Sequence, residues 1–488
     1  MFTAPLASLL ATLAHILIVL VSAIVISLRR PPQTAIAWVL AIMFIPVVGV
    51  IAFLTIGIGR LPRWRQRRQI EINSALAARD EVTAYRTVPE SPGWMPSAVR
   101  LNERLTALPM VGDNTLQLID SYQGSLQAMI DDIDAATEYV HVEFYILVHD
   151  ASTAPFFEAL RRARDRGVTV RALSDHLSGL GYPGRRTTKR MLSEMGAQWH
   201  AMLPLRPWRG QWQRPDMRNH RKIVTIDGKV AYTGSQNLID DSYLKPKNVR
   251  RGLHWQELMV RVEGPLVGEL DAVFMSDWFS ESGERLTPMA PSPAAEPRTG
   301  MPTVVGADAQ VVPSGPSFAS DNSLKLFVLL IQNARHRISI TSPYFVPDEA
   351  TLLALLTAAA RGVDVELFVS EIGDQAFVYY AQRSYYEALL NVGVSIYLYR
   401  SPTVLHSKHF SIDDEVAVIG SSNMDIRSFS LNMEISVLVR DADFVDQLRA
   451  VEADYRANSI RLNVSGWRRR PTREKAKEGI ARLTAQLQ

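Results

Sequence analysis

His220-Arg221-Lys222, four residues, Asp227, six residues, Gly234-Ser235-Gln236-Asn237 is one copy of a pattern that the chain carries twice. The other copy is His406-Ser407-Lys408, four residues, Asp413, six residues, Gly420-Ser421-Ser422-Asn423. A lone H-x-K arises by chance in many chains, but two copies with identical internal spacing do not. The segments around them repeat as well. Arg166-Gly167-Val168-Thr169-Val170 and Arg361-Gly362-Val363-Asp364-Val365 occupy matching places, each between a helical and a strand pattern. Helices are expected at 125–136, 154–166, 323–333 and 349–361, and strands at 140–147, 168–173, 338–340 and 363–369. The duplication therefore covers two α/β domains rather than two motifs.

Within each copy the β-branched run between His and Asn reads as a hairpin. Asp227-Gly228 is a strong two-residue turn signal, and Asp413-Asp414 takes its place in the second copy. With a two-residue loop, His220 lies opposite Ser235 and His406 opposite Ser421. Residues two apart share a face, so His220, Lys222, Ser235 and Asn237 project from one side, and His406, Lys408, Ser421 and Asn423 do likewise. The glycine beside each serine leaves room for a ligand against the backbone. Asp227 and Asp413 fall in the turns at the far end and are read as structural.

Imidazole, ammonium, hydroxyl and amide gathered on one patch suit a phosphate. No local carboxylate cluster offers itself for magnesium or calcium, so neither a metal nor another cofactor is expected. A histidine with an ordinary pKa near 6.5 can attack phosphorus or carry a proton. Displacement at phosphorus needs both, a nucleophile in line and an acid for the departing alkoxide, and two facing copies supply them. Glu257 and Glu434 each open a strand after a motif and are candidates for orienting the imidazoles.

The remainder of the 488 residues suggests where the phosphate comes from. Apolar runs at 6–28 and 35–58 flank Arg29-Arg30-Pro31-Pro32, and each is long enough for a helix crossing a ~30 Å hydrocarbon core. Five arginines follow between Arg60 and Arg68, which by the positive-inside rule puts that end, and the catalytic part, in the cytoplasm. Arg63 and Trp64, and the Trp208-Arg209 and Trp212 stretch ahead of His220, are candidates for the membrane interface. The net charge of +3 argues against a nucleic-acid partner, and the absence of cysteine removes disulfides and thiolate chemistry. The expected organisation is two transmembrane helices (1–59), a basic connector (60–112), a first half (113–286), a Pro/Ala/Ser-rich linker (287–302), a second half (303–460) and a basic tail (461–488) able to lie on a membrane surface.

At the two H-x-K-x4-D-x6-G-S-x-N motifs the chain resembles the phospholipase D superfamily. The amino-terminal apolar runs and the Asn423-Met424-Asp425-Ile426-Arg427-Ser428 continuation look like bacterial cardiolipin synthases. The resemblance implies two pseudo-twofold-related α/β/α halves with mixed sheets and the site between them. It also implies a covalent phosphohistidine, no metal, and Glu257 and Glu434 as the histidine-orienting carboxylates. The implied reaction, in the bacterial inner membrane, joins two phosphatidylglycerol molecules into cardiolipin and glycerol, with His220 as nucleophile and His406 as acid and base. A phospholipase D that yields phosphatidate, a nuclease and an inactive scaffold are the competing readings. A homo-oligomer is left open.

Overall fold

A computed structural model describes residues 3–28, 30, 32–57, 61–77, 83–209, 211, 213–290, 302–316, 318 and 321–483. Trp212, residues 291–301 of the expected linker and 484–488 of the tail lie outside the described residues. The chain forms two compact units, one of residues 1–61 with 205–216 and one of 62–204 with 217–488.

In the smaller unit the first apolar run is the helix Thr3–Ser27, within which Ser8–Ser27 is long and apolar enough to cross a membrane. The second run is not one long helix. It breaks at Ile45 into Pro32–Phe44 and Pro46–Ala52, continued by a wider turn over Phe53–Gly57. Pro46 is the cause: it has no N–H to donate and its ring crowds the preceding turn. Among the described residues, one helix is therefore long and apolar enough to cross a membrane, where two were expected. Trp208, in the short turn Pro207–Arg209 of this unit, is 80% exposed.

The larger unit is built on a mixed sheet of 15 strands. The first half supplies β1 (Val111–Ile119), β2 (Tyr139–Phe144), β3 (Thr169–Asp175), β4 (Gln198–Met202), β5 (Lys222–Ile226), β6 (Val230–Gly234) and β8 (Met259–Glu263) to it, with β7 (His254–Gln256) outside. The second supplies β9 (Val304–Ser314), β10 (Arg337–Thr341), β11 (Asp364–Ser370), β12 (Ser395–Tyr399), β14 (His409–Ile412), β15 (Val416–Gly420), β16 (Glu434–Arg440) and β17 (Ser459–Arg461), with β13 (Thr403–Leu405) outside. The order β17-β12-β11-β10-β14-β15-β16-β9-β1-β8-β6-β5-β2-β3-β4 runs outward from the antiparallel β9–β1 seam in the same way on both sides, with β17 added at one edge. Parallel pairing joins β2 to β3 and β10 to β11, each crossover made by a helix, Ala154–Asp165 or Glu349–Ala360. Separate apolar cores fill the two halves, one around Phe156, Phe157 and Val140, the other around Phe327, Leu355 and Ile396.

The expected connector and tail are largely part of this unit. Met95, Ala98 and Val99 of the helix Met95–Thr106 are buried in the second half's core. Arg65 pairs with Glu281 at 2.6 Å, both buried, and Arg68 donates to the Phe279 and Ser280 carbonyls. Those two arginines are therefore committed to the protein and not to lipid headgroups, while Trp64 stays half exposed beneath them. Arg63 opens the helix Arg63–Ala77. The tail helix Thr472–Leu483 packs on Ala376–Asn391, tied by Glu478 to Arg383 and Arg470.

Both motif hairpins differ from the expected register by one residue. Ile226 pairs with Val230 and Ile412 with Val416, so three residues form each loop. Asp227 and Gly228 have φ of 51° and 63°, as the Asp-Gly turn requires, but Lys229 also stays outside the ladder. The Asp227 carboxylate accepts from the backbone N–H of Thr137, Glu138 and Tyr139 and from the Thr137 hydroxyl, at 2.8–2.9 Å. Asp413 accepts likewise from Arg335, His336 and Arg337. Each aspartate thus pins a hairpin turn to the start of the neighbouring strand. Asp227→Ala would leave several amides without their charged acceptor. Chemical denaturation should show it destabilised by roughly 3 kcal/mol.

Candidate active site

The two histidines stand just before the hairpins, in segments held by the opposite half. β13 pairs in parallel with β7, and His406 N–H donates to Gln256 O at 2.8 Å. In the matching place, Asn219 bridges to Met433, and His220 N–H donates to Met433 O at 2.8 Å. Each pairing ends one residue short of a glutamate, so each imidazole meets the carboxylate of the other half. His220 Nδ1–H donates to Glu434 Oε2 at 2.8 Å, and His406 Nδ1–H donates to Glu257 Oε1 at 2.8 Å. The remaining acceptor positions of Glu434 are filled by the hydroxyls of Ser421 at 2.5 Å and Ser428 at 3.0 Å and the Asn432 amide at 3.2 Å. Glu257 accepts from the Tyr243 hydroxyl at 3.1 Å. These donors fix the carboxylates, and through them the imidazole tautomer that leaves Nε2 without a proton.

His220, His406, Asn237 and Asn423 line one cavity of about 230 Å³. Its other walls include Tyr145, Arg218, Tyr243, Tyr344, Asp374 and Arg427. Asn237 is held by donating to Tyr243 Oη at 2.8 Å and accepting from the Ile146 N–H. Lys222 and Lys408 are buried, and each ammonium donates to the carbonyl of the histidine two residues ahead.

The serines stand elsewhere than the face argument put them. Ser235 Oγ accepts from Leu258 N–H and Ser421 Oγ from Ile435 N–H, at 2.9 Å each, behind the imidazoles. Ser235 and Ser421 lie just past the ends of β6 and β15 and turn toward the adjoining chain at Leu258 and Ile435, while Asn237 and Asn423, two residues on, reach the cavity. The glycines also serve a different neighbour. A Cβ on Gly234 would lie 2.4 Å from Leu258 O, and one on Gly420 2.3 Å from Ile435 O. The close approach is by the adjoining strand, not by a ligand. Tyr243, Ser428 and Asn432 carried no periodic signal, although Ser242-Tyr243 and Ser428-Phe429 are matching positions in the two copies.

Burial pushes His220 down to about 4, with Glu434 pulling the other way and Lys222 adding to the fall. Burial does the same to His406, also to about 4, against Glu257. Burial would raise both glutamates, but the histidines and the lysines outweigh it and hold them below the ordinary carboxylate range. At neutral pH the site therefore has two neutral imidazoles in front of two carboxylates. Burial lowers Lys222 to about 7 and Lys408 to about 8; Glu257 and Glu434 draw both back up, and Lys408 adds to the fall of Lys222. A phosphodiester would add a further anion to the two glutamates that already draw these lysines up.

Paired imidazole–carboxylate units that face one cavity, on a sheet repeated about its central seam, define an enzyme of the phospholipase D type. The family model described as "Cardiolipin synthase, PLD-like domain" matches residues 129–278 and 327–453, and "Phospholipase_D-nuclease N-terminal" matches 16–57. Cardiolipin synthase A of Pectobacterium carotovorum subsp. carotovorum (strain PC1) is 32% identical over 446 residues, covering 91% of this chain and 90% of that protein. Cardiolipin synthase A of Yersinia pseudotuberculosis serotype O:1b (strain IP 31758) is 33% identical over the same coverage. The chain belongs to this family of bacterial cardiolipin synthases of the phospholipase D superfamily. A solved phosphatidylserine synthase of Haemophilus influenzae Rd KW20 shares the fold, with a TM-score of 0.59, 16% identity and coverage of 80% of this chain and 100% of that one.

The lysines set a pH dependence. They bind an anion only while charged, and their pKa values are lowered, so kcat/KM for a phospholipid should fall as pH rises through about 7 to 8. Bound phosphate raises both values, so kcat should fall at higher pH than kcat/KM. Initial rates from pH 5 to 10 check this. A kcat/KM that does not fall above pH 7 would contradict it.

Proposed function

We propose that the protein condenses two phosphatidylglycerol molecules into cardiolipin and glycerol by way of a phosphohistidine. The observation that carries this reading is the pair of imidazoles, each donating Nδ1–H to a carboxylate of the other half, on one small cavity. His220 Nε2 attacks the phosphorus of the first lipid and forms the P–N bond. The bond to the headgroup oxygen breaks, and the departing glycerol takes its proton from His406. Lys222, Lys408, Asn237 and Asn423 serve the phosphate oxygens. The cavity is smaller than the ~300 Å³ at the low end for drug-sized ligands, so it suits a phosphate with its headgroup while the acyl chains remain outside. His406 then takes the proton of a glycerol hydroxyl on the second lipid, whose oxygen displaces His220 from phosphorus. The active enzyme must present protonated His406 in the first step, although the empty site holds it neutral; the arriving phosphodiester anion supplies the charge that favours protonation.

The membrane placement belongs to the same reading. The apolar helix within Thr3–Ser27 spans the bilayer of the bacterial inner membrane, and the kinked helices that follow return the chain to the cytoplasmic side, where the catalytic halves act. Exposed Trp208 and Arg209 meet the headgroup layer. In this reading the two catalytic halves are residues 113–286 and 303–460, joined by the linker 287–302.

Purified protein in phosphatidylglycerol vesicles, followed by mass spectrometry, tests the reaction. Cardiolipin and glycerol in equal amounts are expected. Phosphatidate as the main product would make the enzyme a hydrolase. Quenching without acid and mapping the phosphate should place it on His220; phosphate on His406 would reverse the two roles.

A further inference from the structure

The two ends of the cavity differ chemically although the halves that build them repeat. Arg218 stands two residues ahead of His220, where Val404 stands ahead of His406. Arg427 follows Asn423 by four residues, where Asp241 follows Asn237. Both guanidinium-bearing residues line the cavity, and both lie near the Tyr145 ring that packs edge-on to His220, with centroids 4.9 Å apart. At the His406 end the walls are of another kind. Tyr243 and Tyr344 present their edges to the imidazole, with centroids at 6.0 and 6.4 Å. Beside them stands a carboxyl, Asp374, on the segment that follows β11.

Asp374 is built into place. Its Oδ1 accepts from the Tyr344 hydroxyl at 2.9 Å, and Gln375 Nε2 donates to the same phenolic oxygen at 3.1 Å. Tyr344 occupies one lone-pair direction of a group that offers about four. Burial pushes this carboxyl above its ordinary value, against the pull of the Tyr344 hydroxyl, the Lys245 ammonium and the neighbouring backbone N–H groups. A carboxylate has no use for a phosphate, which it repels. It does suit hydroxyls, which donate to it. A polyol with adjacent hydroxyls fits a carboxylate, a phenol and an amide set side by side.

We propose that Asp374, oriented by Tyr344 and joined by Gln375, is the subsite that takes the free hydroxyls of a glycerol headgroup on the His406 side of phosphorus. The inference rests on the phosphatidyl-transfer reading above, in which His406 serves the oxygen that leaves and the oxygen that enters. Both are glycerol oxygens, so one subsite acts twice. It holds the departing glycerol while His406 gives up its proton. It then holds the acceptor's glycerol with one hydroxyl at His406; that proton goes to the imidazole as the new P–O bond forms and the P–N bond to His220 breaks. Water has no second hydroxyl with which to use the subsite, and a headgroup bearing its own carboxylate is repelled by it.

An internal competition tests the subsite. Full-length enzyme in phosphatidylglycerol vesicles receives equal concentrations of isotope-labelled glycerol and propan-1-ol. Mass spectrometry reads the ratio of labelled phosphatidylglycerol to phosphatidylpropanol, which cancels any general loss of activity. The wild-type enzyme should favour glycerol. Asp374→Asn should lower the ratio about tenfold or more, the scale of one lost charge-assisted hydrogen bond, and Tyr344→Phe should lower it less, in the same direction. If Asp374→Asn does not fold, Tyr344→Phe and Gln375→Ala decide the matter by the same ratio. A ratio unchanged in the variants, or a wild-type enzyme with no preference for glycerol, overturns the subsite. If the wild-type enzyme makes cardiolipin while the ratio does not move, only the subsite falls. If it makes no cardiolipin and transfers to neither alcohol, the transfer reading falls and the subsite with it.

Discussion

Everything at the centre of this protein depends on two hydrogen bonds that cross between its halves, His220 to Glu434 and His406 to Glu257. An imidazole that is to attack or carry a proton from Nε2 must keep its other nitrogen protonated and directed. Here the carboxylate that does so always comes from the opposite half. The arrangement follows from short parallel pairings of the histidine segments, 403–405 against 254–256 and Asn219 against Met433, which stop one residue before a glutamate. Neither half could hold a correctly oriented histidine alone. Duplication is thus built into the wiring of the site, as well as into the need for an acid and a nucleophile.

The crossing bonds in turn require a rigid frame, and the sheet supplies it. β1 and β9 pair antiparallel at the seam, and β16 and β8, which begin at or just after the two glutamates, flank them directly. Arg221, the middle residue of the first motif, runs through the same region. It is buried, it donates to the carbonyls of Glu434 and Ser314, and it pairs with Asp277. A buried ion pair of this kind is weak evidence for stability. Its geometry shows instead how a first-half residue fixes the backbone of the second half's glutamate. Gly234 and Gly420, where a side chain would strike the next strand, allow the hairpins to close against β8 and β16.

Much of this was legible in the chain. The helices expected at 154–166 and 349–361 and the strands after Gly167 and Gly362 occur within a residue or two of those bounds, because their apolar periodicity agrees with their burial. What was hidden has physical reasons. β1 and β9 gave no strand signal, since Gly112-Asp113-Asn114 reads as a loop and Gln117 and Gln310 interrupt the apolar pattern. The buried Asn114 and Gln310 donate to backbone carbonyls, Asn114 to those of Val111 and Ala307 and Gln310 to those of Val99 and Leu108, and Gln117 donates to the Thr303 hydroxyl. The register was misread by one because an Asp-Gly signal gives the turn conformation but not whether Lys229 rejoins the ladder. The exchange of glutamates between halves was beyond any local reading. Matching positions in sequence say that Glu257 and Glu434 are equivalent, not which histidine each one meets.

The charge balance of the site links these features to what it binds. Glu257 and Glu434 are ionised, both histidines are neutral, and Lys222 and Lys408 are held below the ordinary lysine range by burial, with the two glutamates drawing them back up. The empty site therefore already sets two carboxylates against its lysines, and burial, not a lack of counter-charge, is what lowers them. A phosphodiester would add its charge to that of the glutamates and favour the charged form of the lysines and of the imidazoles. On the proposed reaction, binding and protonation would then be one event: the phosphate that steadies the lysines would also favour the protonated imidazole that its leaving group needs.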